Sequence, residues 1–210
     1  MTKHITKTLI ISTIIILLPI IYGVVYYQQL PAAMVTHWGF NNTPNGWMPK
    51  IAAVYGIPIG MMLLQWLIVG LTQFGVKRSG GAPRMERIVY WLIPVITVVL
   101  YLTTIQANLG TAVDIRRVAM LLVAGIFILM GNYLPTVPGN SYHWGIKKSK
   151  GRPELNAIIS RKLAHAMVIS GLLCLLSIFF SVWVSTVAVI IAIGWVIGVS
   201  IYSMRLQSRR

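Results

Sequence analysis

Residues 1–30, "MTKHITKTLIISTIIILLPIIYGVVYYQQL", decide the class of this chain. Lysines precede an apolar stretch from Leu9 to Tyr27, and Gln28-Gln29 leads into Leu30-Pro31. A cleaved secretory signal has that polarity, but its apolar core runs to only about 7–15 residues. The stretch here is longer, so it reads as a retained first span. A helix rises about 1.5 Å per residue and the hydrocarbon core is about 30 Å thick, so roughly 20 apolar residues cross it.

The same pattern recurs along the chain. Hydrophobic residues make up 57% of the sequence, charged residues 10%, and the mean hydropathy is +0.77. A soluble domain carries about a quarter charged residues. Six segments have the length and composition of a span: 9–27, 51–74, 88–107, 118–134, 163–182 and 184–204. Each must be helical, because lipid offers no partner to a backbone N–H or C=O. The fold class expected is therefore all-α, a polytopic integral membrane protein with six transmembrane helices. The last two spans are expected to turn tightly around Trp183-Val184-Ser185, since one helix of some 40 residues would measure about twice the bilayer. Pro19, Pro58 and Pro94 lie inside spans and are expected to kink them. The pairs Gly56…Gly60 and Gly194…Gly198 are expected to serve packing within the bundle.

The positions of the cations give an orientation. The chain has 18 Lys and Arg against 3 acids, for a net charge of +15. Fifteen of the eighteen fall in the N-terminus, the 75–87 loop, the 135–162 loop and the C-terminus; only Lys50, Arg116 and Arg117 fall in the alternate loops. The positive-inside rule then places both termini in the cytoplasm. The high pI thus follows from topology and calls for no nucleic-acid partner. On this reading residues 1–107 hold spans 1–3 with an extracytoplasmic loop at 28–50. Residues 108–210 hold spans 4–6 with a cytoplasmic basic loop at 135–162, and the two halves form one membrane domain. The localisation expected is a plasma membrane, crossed several times.

The outer loop contains "LPAAMVTHWGFNNTPNGWMPK", residues 30–50, which is aromatic and nearly uncharged. Asn41, Asn42, Pro44, Asn45 and Gly46 are turn formers, so the chain should reverse there and bring Trp38 and Trp47 back toward the membrane surface. The indoles suit either an anchor at the headgroups or a cap that meets an extracellular peptide or lipid. His37 has no second histidine or acid nearby, and Cys174 stands alone in an apolar run. No metal, cofactor or disulfide framework is expected.

The chemistry-bearing residues are sparse. Glu86, Asp114 and Glu154 lie in loops or at span edges, and no Asp, Glu, Lys or Arg sits near a midplane. An ion-coupled transporter usually carries one there. No paired acids, metalloprotease motif, phosphate-cradling loop or nucleophile elbow is present, so no catalytic residue and no enzyme is expected.

Leu30-Pro31, His37-Trp38, Gly46-Trp47 and Pro49-Lys50 resemble the N-terminal loop motif of the SdpI family, bacterial membrane proteins named for immunity to a secreted, membrane-active peptide toxin. "MGNYLPTVPGNSYHWGIKKSK", residues 130–150, is similar to that family's second signature through Gly131-Asn132, Asn140 and Gly145-Ile146-Lys147. Where the family continues Arg-Thr-Pro-Trp, this chain has Lys147-Lys148-Ser149-Lys150. The resemblance implies a membrane immunity or sensor protein. Its extracytoplasmic site would be His37, Trp38, Asn41, Gly46, Trp47 and Lys50, facing a peptide toxin. Its cytoplasmic site would be Asn132, Asn140, Gly145, Lys147, Lys148, Lys150 and Arg152, facing anionic lipid headgroups or a cytoplasmic regulator protein. The alternative is a small-molecule or lipid transporter or facilitator.

Overall fold

The computed structural model describes residues 3–138 and 152–208. Its elements are α1 (Lys3–Leu17), α2 (Ile20–Val25), β1 (Ala33–Trp38), β2 (Pro44–Pro49), α3 (Ile57–Ser79), α4 (Pro83–Asn108), α5 (Ile115–Tyr133), α6 (Pro153–Ser177) and α7 (Val182–Ser208). Short 3-10 turns cover Tyr27–Gln29 and Leu134–Thr136, and a π-helical turn covers Ala52–Gly56. Among the described residues, six helical segments are long and apolar enough to cross a membrane: His4–Val25, Ala52–Ser79, Pro83–Asn108, Ile115–Thr136, Glu154–Ser177 and Val182–Leu206. The protein is a multi-pass membrane protein.

The helical class is as expected, and within the outer loop residues 33–49 pair as a small antiparallel hairpin. Two features differ from the sequence-based expectation. The fifth span begins about ten residues early, at Pro153, which suits the first helical position because its missing N–H is not needed there. The turn between the last two spans falls at 178–181 rather than at Trp183-Val184-Ser185. Phe179 and Phe180 are as apolar as the helices they join, so hydropathy does not mark the break. Ser185 lies inside α7 and donates its hydroxyl back to the Ser177 carbonyl at 2.9 Å, beside the Phe180 N–H that the same carbonyl accepts at 3.1 Å.

The prolines leave backbone carbonyls for side chains to satisfy. Proline has no N–H, so the carbonyl four residues earlier loses its helical donor. Pro58 leaves Val54 O in that position, and the Tyr101 hydroxyl donates to it at 3.1 Å. Pro94 leaves Tyr90 O, and Gln65 Nε2 donates to it at 2.9 Å. Gln65 is fully buried and also bonds Ser12 Oγ at 3.2 Å. An unpaired carbonyl facing hydrocarbon would cost several kcal/mol, which accounts for polar side chains in otherwise apolar helices. Pro19 separates α1 from α2.

Contacts gather the chain into two compact units, residues 1–71 with 89–118, and residues 72–88 with 119–210. The first unit has its core at Leu30, Met34, Ala53, Val54, Tyr101 and Ile105. Gly23 belongs to it because any Cβ there would collide with the Tyr101 hydroxyl.

The second unit has one cluster around Met85, Leu134, Ile159 and Leu163, and another around Met120, Ala124, Cys174 and Ala192. Its close helix approach is at Gly131 and Gly171. A Cβ on Gly131 would stand 2.9 Å from the Ala164 carbonyl, and one on Gly171 would stand 2.8 Å from the Ala124 carbonyl. The glycine pairs expected to mediate packing do not do so among the described residues. A Cβ on Gly60, Gly194 or Gly198 would meet nothing within 4 Å, and one on Gly56 would meet only Ala52 of its own helix.

Candidate functional site

The hairpin is built from an irregular ladder. Val35 pairs with Trp47, His37 with Gly46 and Trp38 with Pro44, with register shifts on either side of His37. Such bulges bend a strand and re-aim its side chains. The 39–43 loop closes through Gly39 N–H to Thr43 O at 2.8 Å. Asn42 takes a left-handed φ of 62°, which asparagine tolerates better than most residues. Gly46 is required by its partner, since a Cβ there would lie 2.9 Å from the His37 Cβ.

A lone two-stranded hairpin is marginal in water; this one is tied to the helices at several points. Asn108, at the end of α4, accepts the Val35 N–H at its Oδ1 and donates to the Val35 carbonyl from its Nδ2, both at 2.8 Å. The carboxamide thus pairs with β1 as a neighbouring strand would. Asn42 Oδ1 accepts the Ile115 N–H at 2.9 Å, and its Nδ2 donates to the Val113 carbonyl. At the base, Lys50 Nζ donates to the Tyr27 carbonyl at 3.0 Å and sits 4.8 Å from the Tyr27 ring centre. Met34 is fully buried beneath the strands. Each such bond contributes about 0.5–1.5 kcal/mol net, enough together to hold the hairpin in one orientation.

Beside these ties, Asp114 caps α5. It accepts the Arg117 N–H at 3.0 Å and pairs with Arg116 at 3.2 Å and with the Arg117 side chain at 3.0 Å. Partial burial pushes its pKa up, but the Arg116 hydrogen bond and the two guanidiniums outweigh that and hold the carboxyl below its usual range.

A cavity of about 270 Å³ lies within the first unit under the hairpin, lined by Thr36, His37 and Trp38 from β1, by Ile57 and Met61 from α3, and by Thr97, Tyr101 and Thr104 among others from α4. Drug-sized ligands occupy roughly 300–1,000 Å³, so this space suits one or two side chains rather than a whole molecule of that size. Thr97 and Thr103 donate their hydroxyls to the carbonyls of Ile93 and Val99, which leaves their lone pairs free to accept. His37 bonds Asn45 Oδ1 through Nδ1, so the N–H is assigned to Nδ1 and Nε2 is left as an acceptor. The cavity therefore offers acceptors and an aromatic wall, and no charged side chain among the described residues lines it.

The hairpin exposes two large aromatic side chains beside polar ones such as Asn41, Thr43 and Asn45. Phe40 is 74% exposed and Trp47 58% exposed. Of the six residues expected in the extracytoplasmic site, His37 and Trp38 reach the cavity and Trp47 faces away. Gly46 supports His37, Asn41 accepts from the Thr43 hydroxyl within the tip, and Lys50 is held by Tyr27. Of the cytoplasmic set, Asn132 is exposed in the last turn of α5 and Arg152 immediately precedes α6. Asn140, Gly145, Lys147, Lys148 and Lys150 lie outside the described residues.

The residues the sequence reading missed are Asn108 and Tyr101, whose partners lie 73 and 47 positions away; Asn45, read only as a turn former, also bonds His37. A signal existed for Tyr101 and Gln65: each supplies a donor in a span near a proline of another span.

Residues 14–62 match the family model described as a domain of unknown function, DUF1648. No curated protein and no solved structure matches the chain. The matched stretch runs from α1 through the whole hairpin and the π-helical turn into α3, so the family's domain contains the cap of the cavity together with part of its wall.

Proposed function

We propose that this is a membrane immunity or sensor protein of the kind the SdpI resemblance implies. The hairpin faces outward and engages a membrane-active peptide. The basic stretch within 135–162 meets anionic lipid or a cytoplasmic regulator. One observation carries this reading: a hairpin fixed by Asn108, Asn42 and Lys50 holds Phe40 and Trp47 outward above a side-chain-sized cavity. Rigid aromatic anchors bind with little loss of conformational entropy, and Trp is the residue most enriched among binding hot spots. A headgroup anchor would use the same indoles, but it needs neither the cavity nor the fixed strand pairing.

The test is survival. A sensitive bacterial host expressing the protein is challenged with a panel of membrane-active peptides. Protection against at least one is expected, and the Trp38→Ala, Trp47→Ala double variant should lose about tenfold of it, or ~1.4 kcal/mol of binding. Trp183→Ala, which removes an exposed indole at the start of α7, should protect like the parent. Absence of protection against every peptide, or full protection by the double variant, contradicts the proposal.

The threonine lining of the cavity favours a second reading, a small-molecule or lipid facilitator. Flux of a neutral polar solute through proteoliposomes, reduced by Thr97→Val, would establish it.

A further inference from the structure

We infer that the groove between α6 and α7, at the end carrying Lys162 and Tyr202, is a discrete binding site for one anionic phospholipid. Lys162 and His165 are three apart on α6 and share a face. Trp195, Gly198 and Tyr202 recur at helical spacing on α7, and all five line one cavity of about 450 Å³. Gly198 forms its floor, since a Cβ there would meet nothing within 4 Å. Lys162 Nζ rests 5.3 Å from the Tyr202 ring centre, which holds the cation at the rim. The groove thus has an ammonium and an imidazole at one end and Ala166, Val199 and Trp195 along its walls.

That arrangement matches an amphiphile with an anionic head: phosphate at Lys162 and His165, acyl chain over Gly198. Tyr favours headgroup depth, and Tyr202 stands four residues from the end of the Val182–Leu206 span, with Trp195 deeper along the groove. A second copy of the chain is a poorer occupant. A two-fold contact presents the same surface from both sides, so Lys162 and the neighbouring Arg161 would face their own copies. The site is independent of the hairpin; Lys162 closes the basic stretch within 135–162, so the inference deepens the anionic-lipid part of the proposed function.

The test uses the full chain purified in mild detergent and titrated with dioleoylphosphatidylglycerol or dioleoylphosphatidylcholine. Native mass spectrometry is expected to retain one phosphatidylglycerol per chain, at least about threefold over phosphatidylcholine. Lys162→Gln should erase that preference. Gly198→Leu, which fills open space, should remove the retained lipid while shifting the lipid-free unfolding temperature by no more than about 2 °C. Equal retention of the two lipids, or a Lys162→Gln protein with the parent's preference, overturns the site. So does a lipid-free dimer that Gly198→Leu dissociates. If Gly198→Leu does not fold, the Lys162→Gln comparison decides alone.

Discussion

Asn108 satisfies both backbone groups of Val35, accepting its N–H and donating to its carbonyl at 2.8 Å each, across 73 residues of sequence. One side chain at the end of α4 therefore takes the place of a third strand. Asn108→Leu would leave two partly buried backbone groups without partners and should cost roughly 1–3 kcal/mol. Hydrogen exchange at Val35 is the direct readout. Its amide should lose protection by a factor of about ten or more, while amides in the middle of α7 keep theirs.

The proline–donor pairs can be tested as a cycle. Gln65→Leu removes the donor to the Tyr90 carbonyl and should lower stability by roughly 1–3 kcal/mol. Pro94→Ala restores a backbone N–H four residues after Tyr90, so the double variant should regain much of that loss. Thermal unfolding of the four proteins in one detergent gives the coupling. Strictly additive effects would show that Gln65 does not serve that carbonyl.

Gly131 and Gly125 lie on the same helix with opposite surroundings. A Cβ on Gly131 meets the Ala164 carbonyl and the Met167 Cβ at 2.9 Å, whereas one on Gly125 meets nothing within 4 Å. Gly131→Ala should destabilise by about 1–3 kcal/mol through overpacking. Gly125→Ala should be neutral or gain up to about 1 kcal/mol from helix propensity. Unfolding temperatures in a common detergent check the pair.

Much of this architecture was legible in the sequence. The six spans follow from hydropathy because a bilayer demands long apolar helices. The reversal at 39–43 follows from its turn formers. The strands flanking it were hidden because residues 33–38 and 44–49 do not alternate between polar and apolar; the bulges break that period. Asn108 was hidden because its partner is backbone, which leaves no mark in the composition. Gln65 and Tyr101 could have been anticipated, since a proline inside a span orphans a carbonyl and some polar neighbour must answer it. Gly46 was chosen for its place in a motif, and its role is to make room for His37.

Asp114 makes α5 sensitive to acid. Its carboxyl titrates lower in the folded protein than in the unfolded chain. Its contribution is therefore complete above the ordinary Asp pKa of about 3.9 and is lost as pH falls through the lower, folded value. Asp114→Asn keeps an N-cap acceptor but loses both ion pairs, so it should remove this part of the acid dependence. Unfolding followed from pH 7 to pH 2 should show the parent and the variant converging at the acid end.

The side of the membrane on which the hairpin stands underlies its proposed role as a peptide receptor. Thr43→Cys places an exposed thiol at its tip, with Cys174, the native cysteine, fully buried. In intact cells a membrane-impermeant maleimide should label Thr43→Cys without permeabilisation. Labelling that occurs only after the membrane is opened would place the hairpin in the cytoplasm and contradict the account.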